Sequence, residues 1–317
     1  MGDIKVKGVT KKFGKNLVLD NINLNIPEGK ITGIIGISGC GKSTLLKMLI
    51  GYYKPSHGEI LYNNKSIKAS MDTVRKEFGY ASQESCFYYK LTVDENLKYF
   101  GTMYGLRKDK LKTNIEKILK LLQLENVRDK IAENLSGGMQ KRLDLGCALV
   151  HSPKLLILDE PIEDLDPSLR KEMVQMIKKV NQDGTTIIIT SHLLWEMERL
   201  CDDFIVIHKG KVLGIGDLNN LRDIYGKQSE VFVEFSGKSD MKREYEDLIA
   251  YLGGNKVIKN YSTADGQLRI YSNAEKEMLG KIMDFAKKNN KVIIKAGVKK
   301  PDLSEVFESL TGKKEAA

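Results

Sequence analysis

Residues 36–44 read GISGCGKST, and the class of fold can be predicted from this stretch. It matches the pattern G-x-x-x-x-G-K-[ST] and lies between an apolar run, ITGIIG at 31–36, and a helix-like run, STLLKMLI at 43–50. A strand, a glycine-rich loop and a helix in this order turn a row of backbone N–H groups toward a phosphate. The stretch therefore predicts an α/β protein that binds a nucleoside triphosphate.

The side chains of this loop have separate predicted roles. The glycines allow backbone conformations that a side chain would block, so that the loop amides can wrap the phosphates. Lys42 should reach the β- and γ-phosphates as a positive charge, and the Ser43 hydroxyl should ligate Mg²⁺. Cys40 is interpreted as a small residue that fits the loop. The predicted nucleotide-binding residues here are Gly36, Ser38, Gly39, Cys40, Gly41, Lys42, Ser43 and Thr44.

A second informative stretch is LILDE at 156–160, an apolar strand that ends in two carboxylates. Open α/β sheets bind ligands at the carboxyl ends of their strands. Asp159 is therefore expected to hold Mg²⁺, directly or through water. Glu160 is expected to polarise the attacking water as general base.

The length of 317 residues exceeds the usual size of a single domain, so two domains are expected. Residues 1–225 read as an α/β domain, with a mostly helical subdomain at about 84–150. Segments 3–13 and 17–26 read as antiparallel strands, and 210–217 as a last hairpin. Near-continuous apolar runs predict the buried strands of a parallel sheet at 31–36, 155–159, 185–190 and 203–207.

Residues 226–317 form the second predicted domain, with a boundary near Tyr225–Ser229. Residues 230–300 read β-α-β-β-α-β, the order of a small α+β ferredoxin-like unit, with strands VFVEF, KVIKNYS, QLRIYS and KVIIKA. No catalytic constellation is found in this domain, and its role is not predicted. The apolar helix positions are Tyr245, Leu248, Ile249 and Leu252, then Met278, Ile282 and Phe285, and in a closing helix Leu303, Val306, Phe307 and Leu310.

Composition and charge narrow the class of protein. The net charge of +9 is spread along the chain, and no basic run is long enough to predict binding to nucleic acid. No stretch approaches the roughly 18 apolar residues of a membrane span, and the N-terminus has no apolar signal-peptide core. The protein is therefore expected to be cytoplasmic. If it works at a membrane, another subunit must supply the membrane-spanning segment. The cysteines, which predict neither a disulfide nor a zinc site, are Cys40, Cys86, Cys147 and Cys201.

The stretch NLSGGMQKRL at 134–143 resembles the LSGGQ signature of ATP-binding-cassette (ABC) ATPases. Other motifs of that family surround it in the family's order, from residue 4 to about 222. The resemblance implies that Phe13 stacks on adenine, although Phe13 alone also fits a core position. It implies that Gln83 senses the γ-phosphate and contacts Mg²⁺, and that His192 is the switch histidine.

The resemblance also implies how the site is completed. In ABC ATPases the signature of one subunit closes over the nucleotide of the other, which implies a head-to-tail dimer with two ATP molecules. Ser136 and Gly138 would contact the γ-phosphate in trans, and Gly137 would complete the partner's site with them. Asp166 lies in the dimer-contact loop. Ser136 also suits a helix N-cap before an anion-binding helix end. The implied partners are a second copy or a paired ATPase subunit and an integral membrane permease, at the cytoplasmic face of the cell membrane.

The chain departs from the family pattern in two places. Met139 replaces the usual glutamine of the signature, and IEDLD at 162–166 stands where TSGLD is common. Glu163 and Asp164 thereby add two carboxylates to the dimer-contact loop. These charges are expected to weaken closure unless lysines offset them, so pairing with a different ATPase subunit stays open.

The C-terminal segment KPDLSEVFESLTG at 300–312 resembles the closing segment of ATPases from drug, sodium, lipid and polysaccharide exporters. Export is therefore favoured over import. Two alternatives stay open, a soluble ABC ATPase of a process such as DNA repair or translation, and a regulatory subunit that hardly hydrolyses ATP. Phe87, Tyr88 and Tyr89 either receive the coupling helix of the membrane subunit or belong to the core of the helical subdomain.

Overall fold

The computed structural model describes residues 3–225, 229–236, 241–253, 258, 260–264, 266–272 and 274–312. The chain divides into two compact units, Met1–Leu221 and Arg222–Ala317. Each unit has a hydrophobic core of its own, built from its strands and the apolar faces of its helices.

The strands of the first unit are β1 (Ile4–Phe13), β2 (Asn16–Ile26), β3 (Ile31–Ile35), β4 (His57–Tyr62), β5 (Lys65–Ser66), β6 (Phe78–Ala81), β7 (Leu155–Asp159), β8 (Thr186–Thr190), β9 (Asp203–His208) and β10 (Lys211–Gly216). The helices are α1 (Lys42–Leu49), α2 (Met71–Glu77), α3 (Val93–Met103), α4 (Lys108–Leu122), α5 (Gly137–Leu149), α6 (Pro167–Gln182), α7 (Leu194–Leu200) and α8 (Leu218–Tyr225), which crosses the division between the units. Short 3-10 helices lie at Ile67–Ser70, Glu125–Val127 and Ala132–Asn134.

A six-stranded sheet in the order β10-β9-β3-β8-β7-β6 forms the centre of this unit. The strands from β9 to β6 are parallel, and β10 pairs antiparallel with β9. Every residue of β3, β7 and β8 is buried, as their apolar sequences require of strands covered on both faces. The predicted parallel strands and last hairpin are confirmed, and the carboxyl ends of β3, β7 and β8 lie at one edge of the sheet.

A second sheet, in the order β2-β1-β4-β5, contains the antiparallel pair predicted at the start of the chain. Buried and exposed residues alternate along the second half of β2, so that one face of this sheet is apolar. Ile22 and Ile26 of that face join Leu45 and Leu46 of α1 in one core. This packing holds the helix that follows the phosphate loop.

The region between β6 and β7 is mostly helical, as the sequence predicts. Thr92 and Glu95 form a capping box at the start of α3, and the Ser136 hydroxyl caps α5 as expected. The predicted aromatic cluster is divided. Phe87 is buried in the core, whereas Tyr88 and Tyr89 are 47% and 50% exposed. Phe87 therefore fits the interpretation as core of the helical subdomain. The exposed Tyr88 and Tyr89 fit the interpretation as residues that receive the coupling helix.

The second unit contains an antiparallel sheet in the order β12-β13-β11-β14. Its elements are β11 (Ser229–Phe235), α9 (Met241–Tyr251), β12 (Asn260–Ala264), β13 (Gln267–Ser272), α10 (Glu275–Lys288), β14 (Ile293–Lys299) and α11 (Leu303–Thr311). This is the predicted order, and the apolar positions predicted for α9 and α10 are buried against Val231 and Val233 of β11. The ferredoxin-like assignment stays a prediction.

One strand of this unit begins later than the sequence predicts. The last strand was expected at 291–296, but β14 begins at Ile293, because the Lys291 amide still donates to Ala286 O at the end of α10. Part of the expected strand at 256–262 and part of the expected boundary at 225–229 lie outside the described residues.

Candidate functional site

The backbone of the loop between β3 and α1 adopts conformations that require glycine. Gly39 and Gly41 have φ values of +76° and +110°, which L side chains rarely adopt. Gly36 is needed for space, because a Cβ there would lie 2.4 Å from the Ile207 main-chain oxygen. Cys40 is buried in the loop, which agrees with its interpretation as a small fitting residue. Ser38 is exposed, whereas Ser43 and Thr44 are half-buried in the first turn of α1.

Lys42 begins α1 and lies across the loop. Its ammonium donates to the Gly36 main-chain oxygen at 2.8 Å and lies 3.6 Å from Glu160 Oε1. The side chain is buried, so this positive charge is focused on the space enclosed by the loop.

Asp159 at the end of β7 lies directly opposite the loop. Its Oδ1 accepts from the Ser43 hydroxyl at 3.2 Å and from the Thr190 hydroxyl at 2.7 Å. Two of the three predicted Mg²⁺ ligands, Ser43 and Asp159, are therefore brought together. Sequence reasoning missed Thr190, although a signal existed: β7 ends in Asp159 and β8 ends in Thr190, and parallel pairing places the two residues side by side.

Glu160, the predicted general base, follows β7 in the left-handed backbone region with φ +53°. Its amide donates to the Thr190 hydroxyl at 3.0 Å, which fixes this unusual turn. The carboxylate is buried, and within the described residues its Oε2 has no hydrogen-bond partner. Burial raises the pKa of Glu160, against the opposing effect of Lys42, and Glu163 raises it further. A carboxylate with a raised pKa is a better proton acceptor.

His192, after β8, and Glu163 extend this site outward. His192 Nδ1 lies 3.4 Å from Glu160 Oε2 and 3.5 Å from Glu163 Oε1. Gln83 Nε2 donates to Glu163 Oε2 at 3.1 Å. The structure thus groups Gln83, Glu160 and His192 as expected and adds Glu163, which the sequence placed only in a dimer-contact loop. The predicted contact of Gln83 with Mg²⁺ stays a prediction.

The residues assigned to the partner's site lie at two helix starts. Ser136 Oγ accepts from the Met139 amide at the first turn of α5, and a Cβ on Gly137 would meet open space. Gly138 has no such room, because a Cβ would lie 2.7 Å from Leu169 Cδ1. Asp166 has a role within its own chain that the sequence did not predict: its Oδ1 accepts from the amides of Ser168 and Leu169 and caps α6.

Phe13, at the end of β1, is 41% exposed, so it is not a core residue. Its ring makes an edge contact with Tyr53 at a centroid distance of 5.1 Å. The ammonium of Lys11 lies 4.6 Å from the centre of the same ring. A partly exposed aromatic ring of this kind can stack on a planar ligand.

Comparisons with known proteins agree with this geometry. The ABC transporter family model matches residues 19–163. The chain is 31% identical to the bacitracin transport ATP-binding protein BcrA of Enterococcus faecalis, over 98% of this chain and 96% of that protein. It is 29% identical to the linearmycin resistance ATP-binding protein LnrL of Bacillus subtilis, over 98% of both chains. It is 34% identical to the Fe(3+) ions import ATP-binding protein FbpC of Fusobacterium nucleatum, over 75% of this chain and 64% of that protein.

A solved structure shows the same fold. CbiO1 from Clostridium perfringens, part of the ABC transporter complex cbiONQ, superposes with a TM-score of 0.64 and 30% identity, over 70% of this chain and 90% of that chain. In the described parts of the present chain, no helix has both the length and the apolar character that crossing a bilayer requires. The chain belongs to the ATP-binding subunits of ABC transporters, which bind ATP with Mg²⁺, are ATPases and work with membrane permeases.

Proposed function

We propose that this chain powers the export of a substrate through a separate membrane permease, and that it works at the cytoplasmic face of the membrane. The observation that carries the direction is the extent of similarity. The relatives named for bacitracin transport and linearmycin resistance align over 98% of this chain, which includes nearly all of its second unit. The relative named for iron import aligns over only 75%.

The loop and the end of β7 would hold the nucleotide. The buried ammonium of Lys42 and the loop amides bind the phosphates. Ser43 Oγ and Asp159 Oδ1 lie 3.2 Å apart and would hold Mg²⁺, since hydroxyl and carboxylate oxygens are the ligands that this ion prefers. When bound, Mg²⁺ would neutralise part of the phosphate charge.

Glu160 would act as general base in hydrolysis. Three features support this role: a buried carboxylate, a raised pKa and an oxygen without a hydrogen-bond partner among the described residues. Such an oxygen can accept the proton of a water molecule. His192, which lies beside Glu160 and Glu163, and Gln83, which donates to Glu163, would sense the γ-phosphate.

The site would be completed by a second copy or a paired ATPase subunit. The start of α5 supports this proposal, because Gly137 faces open space and the first amides of the helix form an anion site. Ser136, Gly137 and Gly138 would then contact the γ-phosphate of the partner's nucleotide, with Asp166 nearby.

We expect the Glu160→Gln protein to form a dimer only when Mg-ATP is present, because ATP is retained and links the two copies. Light scattering of this variant with and without Mg-ATP measures the change in mass. Wild-type protein with Mg-ADP is the control, since it lacks the γ-phosphate. A variant that binds ATP and stays monomeric would contradict the symmetric dimer and favour a paired subunit.

We expect loss of this chain to sensitise its host to antibiotics of the kind named for the two relatives. Growth in bacitracin and in linearmycin is measured for a deletion strain complemented with wild-type or Glu160→Gln protein. Wild-type protein should restore resistance and the variant should not, because export requires hydrolysis. Equal resistance of the deletion and wild-type strains to both antibiotics would contradict this substrate class. Equal rescue by the variant would contradict ATP-driven export.

A further inference from the structure

We propose that Glu160, Glu163 and His192 form a binding site for a zinc-like divalent cation, distinct from the Mg²⁺ site at Ser43 and Asp159. One ligand atom from each of the three residues lies within 4.8 Å of the others. His192 Nδ1 faces Oε2 of Glu160 and Oε1 of Glu163. The cysteine pattern predicted no zinc site, and this site uses no cysteine.

The spacing of His192 Nδ1 from each of the two carboxylates fits a tetrahedral ion. Zinc bonds to nitrogen and oxygen of about 2.0–2.2 Å separate neighbouring ligand atoms by about 3.3–3.6 Å. His192 Nδ1 lies 3.4 Å from the Glu160 oxygen and 3.5 Å from the Glu163 oxygen. Three protein ligands leave a fourth position for water or a phosphate oxygen.

Each carboxylate is held so that one oxygen remains for the ion. Glu160 Oε1 faces Lys42 at 3.6 Å, and Oε2, on a side chain that is only 9% exposed, has no hydrogen-bond partner in the described chain. Glu163 Oε2 accepts from Gln83, and Oε1 faces His192. A hydrogen bond like the one from Gln83 orients a metal ligand and raises metal affinity.

The three ligand groups indicate which class of ion the site would bind. An imidazole nitrogen with two carboxylates suits zinc better than Mg²⁺, which prefers oxygen ligands in octahedral geometry. The charges also balance, because Glu160, Glu163 and the nearby Asp159 offset the ion and Lys42. Glu163 is the residue that distinguishes this chain, since the resemblance places serine at that position.

Zinc binding is tested by calorimetry on the full chain without nucleotide, with ZnCl₂ as titrant and MgCl₂ in the buffer. Glu163→Gln and Glu163→Ser should each weaken zinc binding at least about tenfold. Asp164→Asn, a change of the same charge one residue away, should alter it less than about twofold. Equal zinc affinity of wild-type and both Glu163 variants would overturn the proposal, and so would no binding to wild-type protein. If zinc were bound by cysteines instead, wild-type protein and both Glu163 variants would bind it with equal affinity.

A spectrum separates the ligand types independently of affinity. Co²⁺ bound at this site should show tetrahedral visible bands without the thiolate charge-transfer band, and His192→Ala should remove them. Thiolate bands, or bands unchanged in His192→Ala, would overturn the site.

An effect of zinc on ATP hydrolysis rests on the proposed function, because the ion would occupy the Glu160 oxygen that takes the proton. Zinc should therefore inhibit hydrolysis of Mg-ATP at concentrations that match its binding. Binding without inhibition would keep the zinc site and contradict the role of Glu160 as base. Absence of binding would overturn the zinc site and leave that role untouched.

Discussion

Glu160→Gln is expected to lower ATP turnover by roughly 10²–10⁴-fold, the usual contribution of a general base. The amide has nearly the same shape but cannot take the proton of the attacking water. ATP affinity should remain close to wild type, because Lys42 and the loop amides are unchanged. The measurements are steady-state phosphate release and equilibrium binding of ATP. A turnover near the wild-type rate would contradict the assignment of Glu160.

The stability of the same variant is its control. Burial raises the pKa of Glu160 in the folded protein. At a pH between the unfolded and the folded pKa, the folded chain therefore keeps a proton that the unfolded chain has lost. Folding stability therefore falls as the pH rises through the interval between the unfolded and folded pKa values, and the cost persists at neutral pH. Glu160→Gln removes this cost and should be at least as stable as wild type in urea unfolding at pH 7, so unfolding cannot explain lost turnover.

Lys42→Met is expected to weaken ATP binding by about 10–150-fold, because a hydrogen bond to a charged group contributes about 1.5–3 kcal/mol. Hydrolysis should fall as well, because the phosphates lose the fixed cation that would offset the charge developing on them during the reaction. Titration with a fluorescent ATP analogue measures the affinity. Lys47→Met, in the same helix but outside the loop, is the matched control and should bind ATP normally. Equal affinity of the two variants would contradict the role of Lys42.

Most of the site could be predicted because its residues lie in short continuous motifs. A strand, a loop and a helix adjacent in sequence place Lys42 and Ser43, and the end of one strand places Asp159 and Glu160. Their mutual contacts then follow from the parallel order of β3, β8 and β7. The assignments of Phe13 and of Ser136–Gly138 came from the family resemblance, because these residues would act on a nucleotide or on a second subunit and no local pattern indicates such a contact.

The grouping of Glu163 with Gln83 and His192 could not be predicted, because these residues belong to three separate segments of the chain. Side-chain directions in turns follow no period, unlike those in strands or helices. The same reason explains why Phe87 is buried while the next two residues are exposed. Asp166 was identified from the family motif, but its role as a helix cap was not.

The place of β3 in the central sheet has a consequence for biosynthesis. β3 lies between β8 and β9, where Ile31 pairs with Ile187 and Thr32 pairs with Asp203. The ribosome therefore makes the strand that carries the phosphate loop long before either neighbour exists. Pairings between such distant segments form slowly and leave apolar strands exposed in the meantime. β3 therefore stays without a complete set of neighbours until residue 206 has emerged from the ribosome.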